Sequence, residues 1–150
     1  MGGSDNPLDS RWTLFARGSA QVADGVVVAA EQFGLGGAST VRGYEEREVL
    51  GDNAAFASVE LRTPIFAGAF SRRFKNDRLQ FVTFADAGWA GLRRRQPGEQ
   101  GNETLVGMGL GLRYGLWENA LLRFDWGFPL RDTYDSDATG RGHLNLQVQF

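Results

Sequence analysis

The chain has 150 residues, no cysteine, 42% hydrophobic and 23% charged residues, and a formal charge of −2. That length suits one domain, the charge leaves no basic footprint for nucleic acid, and the lack of cysteine excludes disulfide staples and thiolate metal sites. No apolar run approaches the ~18 residues of a transmembrane helix; twenty-one glycines and eleven phenylalanines point instead to many turns and a large aromatic surface.

Residues 1–10 are polar and predict a disordered lead. The opening Met1-Gly2-Gly3-Ser4-Asp5 lacks the cationic start and apolar core of a signal peptide and reads as a truncated or added start. From Arg11 the pattern has period two. Trp12, Leu14, Ala16, Gly18, Ala20 and Val22 share one face, and Arg11, Thr13, Arg17, Ser19 and Gln21 share the other, which predicts a half-buried strand. Asp24-Gly25 is a hairpin-type turn signal, although Val26 to Ala30 reads better as the rising base of a long loop at 31–53.

That loop carries EQFGLGGASTVRGYEEREVLGD over residues 31–52. It is too long for a turn and too rich in glycine for a helix. Gly34, Gly36, Gly37 and Gly43 surround Arg42 ahead of a charged run at 45–48. Loops of this length inside a compact domain are uncommon and usually functional. Glycine allows positive φ and close backbone approach, so the loop is expected to pack against a wall.

The remaining chain supplies the wall. Ala55, Ala57, Val59, Leu61 and Thr63 oppose Ser58, Glu60 and Arg62 until Pro64, which cannot serve a central ladder. A basic connector with Arg72, Arg73 and Lys75 leads to Leu79, Phe81, Thr83, Ala85, Ala87 and Trp89, opposed by Gln80, Val82, Phe84, Asp86 and Gly88. After the Arg93–Arg95 loop, Val106, Met108, Leu110, Leu112 and Tyr114 oppose Gly107, Gly109, Gly111 and Arg113. Leu122, Phe124, Trp126, Phe128 and Leu130 then oppose Arg123, Asp125 and Gly127. An acidic loop at 131–141 precedes Leu144, Leu146, Val148 and Phe150, which alternate with His143, Asn145, Gln147 and Gln149.

This makes about six antiparallel strands of roughly nine to eleven residues, long enough to cross a bilayer when tilted. The fold class is all-β. Two placements of the apolar face remain: inward, in a soluble barrel or sandwich acting as a binding module, or outward to lipid, in an up-and-down transmembrane β-barrel with a polar lumen. Charges at Arg17, Glu60, Arg62, Asp86, Arg113, Arg123 and Asp125 on successive polar faces favour the second. So do the aromatics Trp12, Trp89, Tyr114, Phe128 and Phe150 near the strand ends. The Gly107, Gly109, Gly111 row suits a wall on which a loop lies flat.

No catalytic, metal or cofactor site is expected. His143, the only histidine, has no ligand cluster beside it and reads as a solvated strand-end residue. Asp132, Asp135 and Asp137 lack EF-hand spacing. The glycine run has no following helix and is no phosphate loop.

Three motifs now carry a resemblance. The loop with Arg42-Gly43-Tyr44 resembles the signature loop of the Omp85/two-partner-secretion transporter superfamily. Phe84-Ala85-Asp86-Ala87-Gly88 is similar to that family's second motif. The terminal Leu146, Val148 and Phe150 resemble the signal read by the barrel-assembly machinery. The resemblance implies a bacterial outer-membrane barrel of roughly sixteen strands, of which this chain supplies about the last six, without the periplasmic POTRA domains. It implies that the loop enters the lumen and that Arg42 pairs with Asp86, flanked by Phe84 and Gly88, beside the Gly107–Gly111 wall. The EQF lead-in and Gly51-Asp52 look more like the two-partner-secretion branch, which passes a large unfolded exoprotein such as an adhesin or haemolysin. Assembly of outer-membrane proteins or lipids is the alternative. Six strands leave open edges that lipid does not tolerate, so missing strands or a second copy of the chain would be needed.

Overall fold

A computed structural model describes residues 11–67, 77–92, 101–116, 120–133 and 139–148. The lead at 1–10, the connector residues Arg72, Arg73 and Lys75, the Arg93–Arg95 run, Asp135, Asp137 and Phe150 lie outside the described residues.

Six long strands follow the period-two segments: β1 (Thr13–Gln21), β4 (Asn53–Arg62), β6 (Arg78–Gly91), β7 (Asn102–Leu116), β8 (Ala120–Pro129) and β9 (Arg141–Val148). Three short ones lie between them: β2 (Phe33–Leu35), β3 (Val49–Gly51) and β5 (Phe66–Ala67). The long strands form one antiparallel sheet in the order β1-β4-β6-β7-β8-β9, and β5 pairs with β6 off that path. Among the described residues there is no helix, and β1 and β9 each pair on one side only. The ladder is regular enough for alternation to survive across it. Val59 pairs with Ala85, Ala85 with Met108 and Met108 with Phe128, so one face accumulates the apolar set of every strand.

That face is bare. Leu14, Val59, Leu61, Phe81, Trp89, Met108, Leu110, Phe124, Trp126, Phe128, Leu144 and Leu146 are all exposed on it. The opposite face is covered by residues 22–52, which fold back over it. Leu35, Val41 and Tyr44 of this segment are enclosed with Ala54, Phe56, Ala90 and Leu105 of the sheet, with Phe33 and Val49 packed alongside. The apolar core therefore lies between loop and sheet at one end of the strands.

The loop has secondary structure that its glycine content did not suggest. Its two arms pair as the antiparallel ribbon β2-β3, with Phe33 opposite Gly51 and Leu35 opposite Val49. The entry is tied to the exit. Asp52 Oδ1 accepts hydrogen bonds from Val27 N (3.2 Å) and Gln32 Nε2 (3.1 Å), and Asn53 Oδ1 accepts one from Ala23 N (2.9 Å). Closing the base this way removes much of the conformational freedom that a free loop of this length would keep.

Candidate functional site

The floor of the site is set by register. Ser58 pairs with Asp86 and Asp86 with Gly107; Glu60 pairs with Phe84, Phe84 with Gly109 and Gly109 with Gly127. All of these residues share the covered face. Ser58, Glu60, Asp86 and Asp125 are each buried to within 2% of full enclosure. Three carboxylates so enclosed need cationic partners, since unpaired buried charge is expensive.

The loop brings the cation. Gly36, Gly37 and Gly43 take φ values of +107°, +96° and +103°, which side chains rarely tolerate. The turn between them is closed by Thr40, whose Oγ1 accepts from Gly36 N at 2.8 Å and donates to Gly36 O at 3.0 Å. Arg42 follows directly and points into the floor with no exposed surface.

Its guanidinium is fully engaged. Nε donates to Asp86 Oδ2 at 2.7 Å and Nη2 to Asp86 Oδ1 at 2.8 Å, a two-pronged pairing with one carboxylate. Nη1 donates to Glu60 Oε1 at 2.7 Å, Nη2 reaches Ser58 Oγ at 3.1 Å, and Asp125 Oδ2 stands 3.7 Å from Nη1. The Arg42 backbone N–H adds a bond to Asp86 Oδ2 at 3.1 Å. The guanidinium carbon lies 3.5 Å from the centre of the Phe84 ring, a close cation–π contact. Burial by itself lowers the Arg42 pKa; hydrogen bonds and charge from Asp86 and Glu60 outweigh it, and the net shift is upward. Arg42 is a permanent cation in this place.

Around that centre the carboxylates have further partners. Glu60 Oε2 accepts from Arg62 Nη2 at 2.7 Å, and Asp125 accepts from Arg113 Nη1 at 2.7 Å and Arg123 Nε at 2.9 Å. Asp86, in contrast, has Arg42 as its ion-pair partner among the described residues.

Glycines make the seat. A Cβ on Gly107 would stand 2.3 Å from the Arg42 carbonyl oxygen, and one on Gly127 would stand 2.5 Å from Gly43 N. Gly88 lies under the loop side chains Leu35 and Val41. The three wall glycines have different neighbours. Gly107 meets loop backbone, Gly109 leaves room for the Phe84 ring, and Gly111 leaves room for Asp125 and Arg113.

Tyr44 locks the far side. Its hydroxyl lies 2.9 Å from the carbonyl oxygens of Val106 and Arg131 and 3.3 Å from both backbone nitrogens, bridging β7 to the chain after β8. His143 departs from the solvated residue its sequence context suggested. It is half-buried, and its Nε2 lies 3.5 Å from Gly43 N. Pairing with Asp125 across β8 and β9 turns it inward. Leu146 and Val148 are exposed on β9.

Sequence reasoning named Arg42, Asp86 and Phe84, and the structure brings these three into contact. It did not single out Ser58, Glu60, Asp125 or Gly127 as members of the same centre. The signal was available: each falls on the polar parity of its strand, but parity does not say which row lies beneath the arginine.

The Omp85 superfamily domain matches residues 5–150 of the chain. None of the curated proteins compared with it matches.

Proposed function

This chain belongs to the Omp85 superfamily, and from that premise we propose that it is an outer-membrane pore segment passing an unfolded exoprotein by two-partner secretion. Superfamily membership carries the coarser reading, outer-membrane transport or assembly. The observation that supports a gated pore is the Arg42 centre: a long loop held on the inner wall by one enclosed arginine. Such a contact suits an element that must be either fully docked or released, because a half-broken buried pair is unstable. The reading makes Arg42, Gly43 and Tyr44 the loop motif and Asp86, with Phe84 and Gly88, its receiving surface, without a catalytic step.

The bare apolar face suits lipid. No charged side chain falls on the alternating outward positions of β4, β6, β7 and β8, as expected for strands in a bilayer. The open edges at β1 and β9 would then be closed by further strands of a larger barrel or by another copy of the chain. Leu146 and Val148, with Phe150, are proposed as the strand read by the barrel-assembly machinery. The second reading, assembly of outer-membrane proteins or lipids, rests on the same membership. The EQF and Gly51-Asp52 flanks of the loop favour secretion.

The test is Arg42→Ala in the full-length protein, scored for exoprotein in the medium and for the transporter in outer-membrane fractions. Loss of secretion with the transporter still in place is expected. Normal secretion would remove the mechanism, and unchanged secretion with a defect in outer-membrane protein content would select the assembly reading.

A further inference from the structure

Between the two edge strands and the loop tip lies a cavity of about 360 Å³, a size typical of small-ligand sites. Its polar lining comes from Arg17 of β1, Ser39 of the loop, Arg123 and Asp125 of β8, and His143, Asn145 and Gln147 of β9. Arg17 Nη2 and Arg123 Nη2 are both buried without a hydrogen-bond partner among the described residues. Buried polar atoms are nearly always satisfied, so two orphaned guanidinium nitrogens at one cavity require an explanation.

Neighbouring groups do not supply one. Arg123 gives Nε to Asp125, while its Nη2 stands 3.6 Å from Glu60 Oε1, an oxygen already bonded to Arg42 at 2.7 Å. Both Asp125 oxygens are engaged by Arg113 and Arg123. Arg17 is in no ion pair among the described residues; its guanidinium lies 5.2 Å from the Phe56 ring centre. Arg17 also feels the charges of Arg42, Arg123, Asp86 and Glu60. In this linked group five arginines (17, 42, 62, 113 and 123) meet three carboxylates (60, 86 and 125). The excess is two positive charges, or one when Glu46 is included, whose Oε1 accepts from Ala38 N at 2.7 Å beside the cavity and whose charge acts on His143. Among the described residues, the two arginines with a buried nitrogen lacking a hydrogen bond are the two that line the cavity.

We propose that the cavity between Arg17 and Arg123 is an oxyanion-binding site that takes a phosphate or carboxylate group. Paired guanidinium nitrogens suit either group because both present oxygens on one charged centre. Ser39, Asn145 and His143 supply further polar atoms around it. The site is separate from the Arg42–Asp86 contact, and its occupant would bridge β1 to the β8-β9 hairpin, two parts of the sheet that share no strand pairing.

The test is isothermal titration of the full-length protein in detergent at constant ionic strength, with sodium phosphate in one series and sodium glutarate in another. Arg17→Gln, which breaks no ion pair among the described residues, and Arg123→Gln are compared with Arg78→Gln, an exposed site on β6, and strand content is checked by circular dichroism. Saturable binding, weakened about tenfold or more by each cavity substitution and unchanged in Arg78→Gln, is expected from the loss of a charged hydrogen bond. Phosphate binding alone would identify a phosphate-type ligand. Glutarate binding would identify a carboxylate, including an acidic side chain. Absence of saturable binding by either, or equal binding in the Arg17→Gln and Arg123→Gln proteins, overturns the site.

Discussion

Asp86→Ala isolates what holds the loop. The substitution deletes the two charged hydrogen bonds to Arg42 at 2.7 and 2.8 Å and leaves a guanidinium with no exposed surface. Breaking one side of a buried ion pair costs about 3–5 kcal/mol. Glu60 still reaches Arg42 at 2.7 Å, so the low end of that range, about 3 kcal/mol, applies. If the loss falls on docking rather than on the whole sheet, the population of open loop rises by about a hundredfold. The peptide bond between Arg42 and Gly43 reports that population directly. Both residues are buried, so trypsin cuts there only from the open state, at a rate proportional to its population when closing is fast. Arg47 in the same loop is exposed and supplies an internal reference cut. Limited digestion followed by mass spectrometry should show the Arg42 cut accelerated about a hundredfold relative to Arg47. A rise below about threefold with strand content intact would correspond to under 1 kcal/mol. It would mean that the apolar contacts of Leu35, Val41 and Tyr44, not the ion pair, decide docking.

Two further substitutions probe the wall and the outer face. Gly107→Ala places a methyl group 2.3 Å from the Arg42 carbonyl oxygen, whereas at Gly115 the nearest atom would be 3.6 Å away. The first should cost about 1–3 kcal/mol by overpacking and the second should be near neutral, as read from denaturation midpoints in detergent. Leu110 is 61% exposed on the bare face. Leu110→Lys should destabilise the protein by about 2–4 kcal/mol in lipid vesicles if that face meets the bilayer. An effect within about 0.5 kcal/mol is what an exposed position in water would show, and it would return the chain to the soluble reading.

The amino-acid sequence by itself determined the strands, because a side-chain period of two needs no knowledge of partners. It marked 31–53 as an exception to that period, and it marked Arg42, Phe84 and Asp86 through motif resemblance and parity. Other features are decided only by the tertiary fold. The β2-β3 ribbon forms because Asp52 and Asn53 tie the base of the loop and bring Phe33 opposite Gly51; isolated three-residue strands carry too little pattern to announce themselves. Glu60, Ser58 and Asp125 join Arg42 because strand register puts their rows under the loop tip. Register is a relation between distant segments that alternation within one strand does not contain. His143 lies 100 residues from Gly43 in sequence, yet the two come within 3.5 Å, because pairing with Asp125 turns the histidine inward. The orphaned nitrogens of Arg17 and Arg123 are the clearest case. In sequence they are two charges on polar faces of separate strands. Only the fold puts them beside one cavity, where low dielectric and the excess of positive charge make an unpaired nitrogen costly.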